Sequence, residues 1–336
     1  ATPRTRESAG VLEAWRRRGG LRERGRSFLP FLARGEPSAN MLLVTGLPFS
    51  DTQRKSLLAE LARLNNYLYA NEGLSKEAAF REVAKVLAVR VYAERKGSEA
   101  LEALAQDPPE GFRRVALEAS RVLGIPHLAS PSLSPEALKV ALEALGGFQL
   151  VGVRRDALGE TYQALFARYH RGGRGEFYTP YPVAELAVRL AKPKPTERLI
   201  DPAAGTGGFL RATVLVLKDL REGGEAGWSL EGYLREMLHA VELNPDVALL
   251  SQIGFFVEFG SSPNVVNGNG LLFALENEGS FDLVITNPPF GARAKVEDPR
   301  VLRSYELARR WKKAGGEWFP EEGFVPRPPE VLFLEA

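Results

Sequence analysis

The residues with the plainest capacity for chemistry are Asn287-Pro288-Pro289-Phe290, which close the apolar run Phe281-Asp282-Leu283-Val284-Ile285-Thr286. That run reads as a buried strand, so an amide and two rigid prolines stand at a strand's carboxyl end, where open α/β sheets bind their ligands. An amide held by prolines offers its own oxygen and the next main-chain carbonyl as acceptors for an amino group. The pair suits the grip of an exocyclic NH2. Upstream, Leu199-Ile200-Asp201-Pro202-Ala203-Ala204-Gly205-Thr206-Gly207-Gly208-Phe209-Leu210 reads as a strand, a glycine-rich turn and a helix start. Such a turn commonly seats a nucleotide-like cofactor. Together the two motifs point to methyl transfer onto an amino nitrogen.

Within the turn, Gly205 and Gly207 are expected to let the backbone approach a ligand, and Gly208 to let the helix pack tightly on the sheet. The turn departs from the dinucleotide pattern GxGxxG, and Asp201 at the strand tip would repel a diphosphate. An acidic tip suits an ammonium or sulfonium group instead. A ribose-bearing cofactor also needs a carboxylate at the end of the second strand. Glu242 stands there, 41 residues after Asp201, because residues 223–232 insert a loop and more helix. Asn267 and Asn269 follow the third expected strand. They read equally well as contacts to an adenine ring and as plain turn residues. The histidines, at 127, 170 and 239, are too scattered to suggest a metal site.

The elements that must position these residues fall into two textures. Up to about residue 155 the chain reads as helices. Ser75 caps one whose apolar residues Phe80, Val83, Ala84, Leu87 and Val91 share a face, with Gly97 ending it. Ser134-Pro135-Glu136 opens another, which Gly146-Gly147 stops. Asp107-Pro108-Pro109-Glu110-Gly111 is expected as a turn before a helical stretch from Phe112 to Leu123. Met41 to Gly46 looks like a strand in this otherwise helical part. From about 156, strands alternate with helices as in a doubly wound sheet. Expected strands are 198–201, 239–243, 264–267 and 281–286, with helices at 182–191, 208–220 and 245–259. The expected organisation is a mainly helical domain at 1–155 and a sheet domain at 156–336, with a helix just beginning near Glu330.

At 336 residues, with 44% hydrophobic and 26% charged side chains, the chain can bury two cores. It contains no cysteine, which excludes disulfides and thiolate metal sites. Without a membrane-length apolar stretch or a secretory signal, a cytoplasmic location is expected. Net charge is only +2, yet residues 1–26 carry eight arginines against three glutamates. That local excess reads either as a phosphate-contacting arm or as a solvated terminus.

Ahead of the glycine turn stands Gly175-Glu176-Phe177-Tyr178-Thr179-Pro180. In this order the pieces resemble the N6-adenine DNA methyltransferases, specifically the modification subunits of Type I restriction-modification systems. The likeness runs from about residue 64 to the end and is firmest from 156 to 291. It implies a Rossmann-like fold using S-adenosyl-L-methionine, with Glu176, Phe177, Tyr178, Thr179 and Pro180 wrapping the methionine portion. It further implies cofactor contacts from Asp201, Ala203, Ala204, Gly205, Thr206, Gly207, Gly208 and Phe209, and ribose binding by Glu242. Asn269 stands where the family usually has an aspartate, and the family's sheet continues beyond the point where this chain ends. The tetrad Asn287, Pro288, Pro289 and Phe290 would be catalytic. The implied substrate is duplex DNA with a flipped adenine, on which Phe290 or, as the less favoured choice, Tyr178 is expected to stack. A separate specificity subunit is the implied partner, with room for a restriction subunit. Two further readings stand beside this one: a truncated or inactive DNA-positioning scaffold, and a methyltransferase acting on protein glutamine or RNA adenine.

Overall fold

The computed structural model describes residues 51–151, 159, 161–165, 179–222, 227–291 and 295–336. Residues 46–289 form one compact unit, and Phe290–Ala336 belong to a second. The arginine-rich start, the strand-like run at Met41, and Asp156, Ala157 and Leu158 lie outside the described residues.

The first unit opens with helices α1 (Asp51–Asn71), α2 (Lys76–Lys96), α3 (Ser98–Gln106), α4 (Pro108–Leu123) and α5 (Pro135–Gly146). Their boundaries follow from local chemistry. The Ser75 and Ser134 hydroxyls accept from Ala78 N and Ala137 N, satisfying amides that a helix start leaves without partners. One boundary differs from expectation: α4 begins at Pro108, four residues before Phe112, because Asp107 caps it and proline at the first helical position needs no amide partner. The sequence also suggests one apolar face on α2, yet this helix is buried on nearly every side, Glu82, Lys85 and Arg90 included. Those charges are satisfied locally. Glu82 accepts from Lys85 Nζ at 2.9 Å and from Ser132 N at 3.0 Å, and Arg90 pairs with Glu94 at 2.7 Å.

Beyond the helices stands a parallel sheet of four strands in the order β3-β2-β1-β4. Its strands are β1 (Leu199–Asp201), β2 (Leu238–Glu242), β3 (Asn264–Asn267) and β4 (Leu283–Val284). Helices α6 (Tyr181–Ala191), α7 (Gly208–Glu222), α8 (Pro245–Phe259) and α9 (Gly270–Glu276) accompany it. A single turn at Leu230–Gly232 and a π-helical turn at Tyr233–Met237 lead into β2. Helix α8 is apolar almost throughout and buried along most of its length. Val247, Leu249, Leu250, Ile253, Phe256 and Val257 join the core of the helical part, whereas Phe255 and Phe259 join the core beneath the sheet. Gly159 and Tyr162 also pack on it. The Tyr162 hydroxyl donates to Leu250 O at 2.6 Å, and a methyl group at Gly254 would stand 2.8 Å from the Tyr162 ring.

In the second unit, α10 (Pro299–Ser304) precedes an antiparallel hairpin of β5 (Arg309–Ala314) and β6 (Glu317–Phe324), followed by the short α11 (Pro329–Leu332). The hairpin is absent from the sequence-based expectations. Its two-residue loop, Gly315-Gly316, has φ of 60° and 89°, the left-handed pair required by the turn that matches strand twist. Arg327 donates to the carbonyls of Leu307 and Arg309, and Glu335 accepts from the amides of Glu306 and Leu307. These contacts tie the hairpin's base to the residues on either side of α11.

Candidate active site

Strand β1 ends at Asp201, and the chain then turns through Ala203, Ala204, Gly205, Thr206 and Gly207 before α7 begins at Gly208. Gly205 and Gly207 have φ of 54° and 81°, left-handed values that glycine adopts without strain. Their surroundings differ, which corrects one expectation. A methyl group at Gly207 would meet the Phe255 ring at 2.6 Å and Ser251 Oγ at 3.1 Å, whereas one at Gly205 or Gly208 would meet nothing within 4 Å. Gly207 is therefore the glycine that lets the turn pack against α8, and Gly208 faces open space.

That open space belongs to a small, half-open cleft of about 60 Å³, lined by Thr179, Asp201, Ala203, Ala204, Gly205, Thr206, Gly208, Phe209 and Asn287. The tetrad asparagine and the glycine turn, 82 residues apart in sequence, thus share one cavity. Asn287 is half-buried and donates through Nδ2 to the Thr179 hydroxyl at 3.1 Å. It lies three residues past β4, which holds its ladder only at Leu283 and Val284, shorter than the expected 281–286. Val284 is 54% exposed, so the expected fully buried strand is instead a half-open one; Ile285 is the residue that anchors the segment in the core. Pro288 is half-buried, and Pro289 and Phe290 are exposed.

Asp201 is fully buried at the cleft wall. Burial pushes its carboxyl up to about 7, reinforced by the charge on Glu242 and opposed by the Ala203 amide, which donates to it at 3.1 Å. Glu242, at the end of β2, accepts from Gly205 N through Oε2 at 2.9 Å and from Asn244 N through Oε1 at 2.7 Å. Its carboxylate therefore staples the glycine turn to the loop after β2. Asn244 in turn caps α8, its Oδ1 accepting from Asp246 N at 3.0 Å. Asn267 donates to the carbonyls of Glu242 and Leu243. Asn269 caps α9 through Leu271 N at 3.0 Å, so its side chain has the turn-and-cap duty that composition alone would assign it. Pro180 caps α6 with its carbonyl, taking the amides of Val183 and Ala184. Glu176, Phe177 and Tyr178 lie outside the described residues.

Residues 153–318 match the model of the N-6 DNA methylases. That segment belongs to this family. Relatives of the methylase segment include the methylase subunit of the Type I restriction enzyme StySPI from Salmonella potsdam, 32% identical over 163 residues. The EcoKI methylase subunit of Escherichia coli K12 is 31% identical over the same length. Each match covers 45% of this chain and 30% of the relative, so it spans less than a third of these proteins' length. Among solved structures, a Vibrio vulnificus YJ016 protein described as the modification subunit of a type I restriction enzyme superposes with a TM-score of 0.58 at 19% identity. It covers 84% of this chain and 66% of that one. A Listeria monocytogenes protein described as a class I S-adenosylmethionine-dependent methyltransferase gives 0.56 at 16% identity, with 85% and 69% covered. The methylase segment therefore has the S-adenosylmethionine-dependent methyltransferase fold, and helices precede its sheet.

One structural element of the methylase segment goes unseen in the sequence. Glu258, buried on α8, pairs with Arg211 of α7 at 2.8 Å. A methyl group at Gly159 would stand 2.3 Å from that carboxylate, so only a residue without a β-carbon fits beside the pair there. Glu258 is one glutamate within an apolar run, and the only available signal was its isolation there.

Proposed function

We propose that this chain transfers a methyl group from S-adenosylmethionine to N6 of an adenine turned out of duplex DNA, as part of a restriction-modification system. One observation carries the reading: Asn287, with its amide nitrogen tied to Thr179, opens onto the same cleft as the glycine turn and Asp201. The chemistry of the cleft's lining suits the cofactor class. A buried carboxyl lies beside main chain that no side chain covers at Gly205 and Gly208, suiting a ligand with a positive centre and an extended, close-lying body. When bound, that cofactor supplies a methyl group on a sulfonium.

Adenine's N6 lone pair is delocalised into the ring, so the amino group is a poor nucleophile. The Asn287 side-chain oxygen and the Pro288 carbonyl accept its two hydrogens, drawing the nitrogen toward tetrahedral geometry and freeing the lone pair for attack. Pro288 and Pro289 restrict the main chain and so fix the direction of the Pro288 carbonyl. Phe290, 42% exposed, is the ring that stacks on an extruded base in this reading. Residues 156–336 form the proposed transferase domain and 1–155 a helical domain supporting it. A specificity subunit supplies the DNA sequence preference, and the cytoplasm is the proposed location.

The test is incubation with labelled S-adenosylmethionine and genomic DNA, with and without the specificity partner, followed by nucleoside analysis. N6-methyladenine is expected, and Asn287→Ala should lower its formation by at least about a hundredfold while cofactor binding persists. Label in protein or RNA but not in DNA, or full activity of Asn287→Ala, would overturn the reading.

A further inference from the structure

We propose that Thr179 is a positioning residue: its hydroxyl holds the Asn287 amide with the nitrogen engaged, leaving the oxygen as the end that meets an amino group. The inference rests on the reading of Asn287 as the acceptor for adenine N6. A carboxamide has two ends of similar size and opposite polarity. Turned about its last torsion, Asn287 would present NH2 to NH2, donor against donor, and the amino group would lose its acceptor. The prolines that follow restrict the main chain and leave that side-chain torsion free. A contact to the side chain itself must set it.

Thr179 makes that contact. Asn287 Nδ2 lies 3.1 Å from Thr179 Oγ1, and the two residues line one cleft. The acceptor is well held. Thr179 immediately precedes Pro180, whose carbonyl takes the amides of Val183 and Ala184 at 2.9 and 3.1 Å as α6 begins. Helix α6 is anchored through the buried Ala184 and Val188, and the Arg211 guanidinium sits 5.2 Å above the Tyr181 ring. Arg211 is fixed by its pair with the buried Glu258. A buried ion pair on α7 and α8 thus steadies the segment carrying the hydroxyl that orients the amide.

The test compares Thr179→Val, which keeps shape and removes the hydroxyl, with Thr179→Ser, which keeps the hydroxyl, in the full chain with its specificity partner. Losing one orienting hydrogen bond is expected to lower kcat, measured at saturating S-adenosylmethionine, about tenfold in the valine variant. The serine variant should recover turnover to within about threefold. A second readout is independent of activity: hydrogen exchange of the Asn287 side-chain amide by NMR, its signal assigned by its loss in Asn287→Asp. Exchange should quicken in the valine variant and not in the serine one. Unchanged exchange in Thr179→Val overturns the proposal, as does full turnover in that variant at saturating S-adenosylmethionine. Absence of N6-methyladenine from the wild-type reaction would count against the proposed function instead, and the exchange measurement would still judge Thr179.

Discussion

Asp201 carries the site's sharpest electrostatic consequence. Its carboxyl is pushed up to about 7, chiefly by burial, so the folded chain holds this proton at pH values where the unfolded chain has released it. Between the usual carboxylate range and pH 7 the native state binds more protons than the unfolded one, and stability falls as pH rises through that window. Above 7 the penalty levels off. Asp201→Asn removes it, so the stability difference between variant and wild type should grow from pH 4 to 7 and then flatten, as read by urea unfolding at each pH. Ligand binding should run the other way. A cationic group beside Asp201 favours the carboxylate, so S-adenosylmethionine affinity should rise from pH 6 to 8, by at most about tenfold per unit. Calorimetry in buffers of different ionisation enthalpy would detect the released proton. A wild-type Kd that is flat across this range would rule the coupling out.

The turn between β1 and α7 shows how neighbouring glycines of one motif serve different physical ends. Gly207, at φ 81°, has the Phe255 ring where its β-carbon would be. Gly207→Ala must strain the backbone and displace a ring buried beneath the sheet, costing about 1–3 kcal/mol. Gly208→Ala has no such neighbour and should leave the midpoint of thermal unfolding nearly unchanged. Equal destabilisation by the two variants would refute this division of labour. The sequence revealed that the turn existed, since a strand, glycines and a helix start are local signals. It did not reveal which glycine packs, because Phe255 lies 48 positions downstream. The same limit applies elsewhere. Helix α8 was legible from Pro245 to Phe259. The β5–β6 hairpin was missed because Arg309-Arg310-Trp311-Lys312-Lys313 lacks apolar alternation, and only the Gly315-Gly316 pair announced it. Strand β4 was legible as an element but not in its exposure, because burial depends on neighbours that the run itself does not name.

Helix α8 also governs how residues 46–289 hold together. A helix buried on nearly every side has no solvent face, and α8 divides its side chains between two clusters, Ile253 and Phe256 facing the helical core and Phe255 and Phe259 the core beneath the sheet. The change of texture near residue 155 is real at the level of local structure, yet the helical core draws in Tyr162, Leu165 and half of α8. Loosening either cluster should therefore loosen the other. Phe256→Ala opens a cavity in the helical core and removes the ring beneath the Arg95 guanidinium, at a cost of about 3–5 kcal/mol. Denaturant unfolding can be followed by far-UV circular dichroism, which weights the helices, and by fluorescence of Trp228, which packs on Tyr233 next to β2, with the other tryptophans replaced by Phe. The two probes should share one midpoint in the parent and one lowered midpoint in the variant. Should the helical signal fall first while Trp228 keeps its parental midpoint, the two cores are energetically separate, and the cleft would be positioned by the sheet alone.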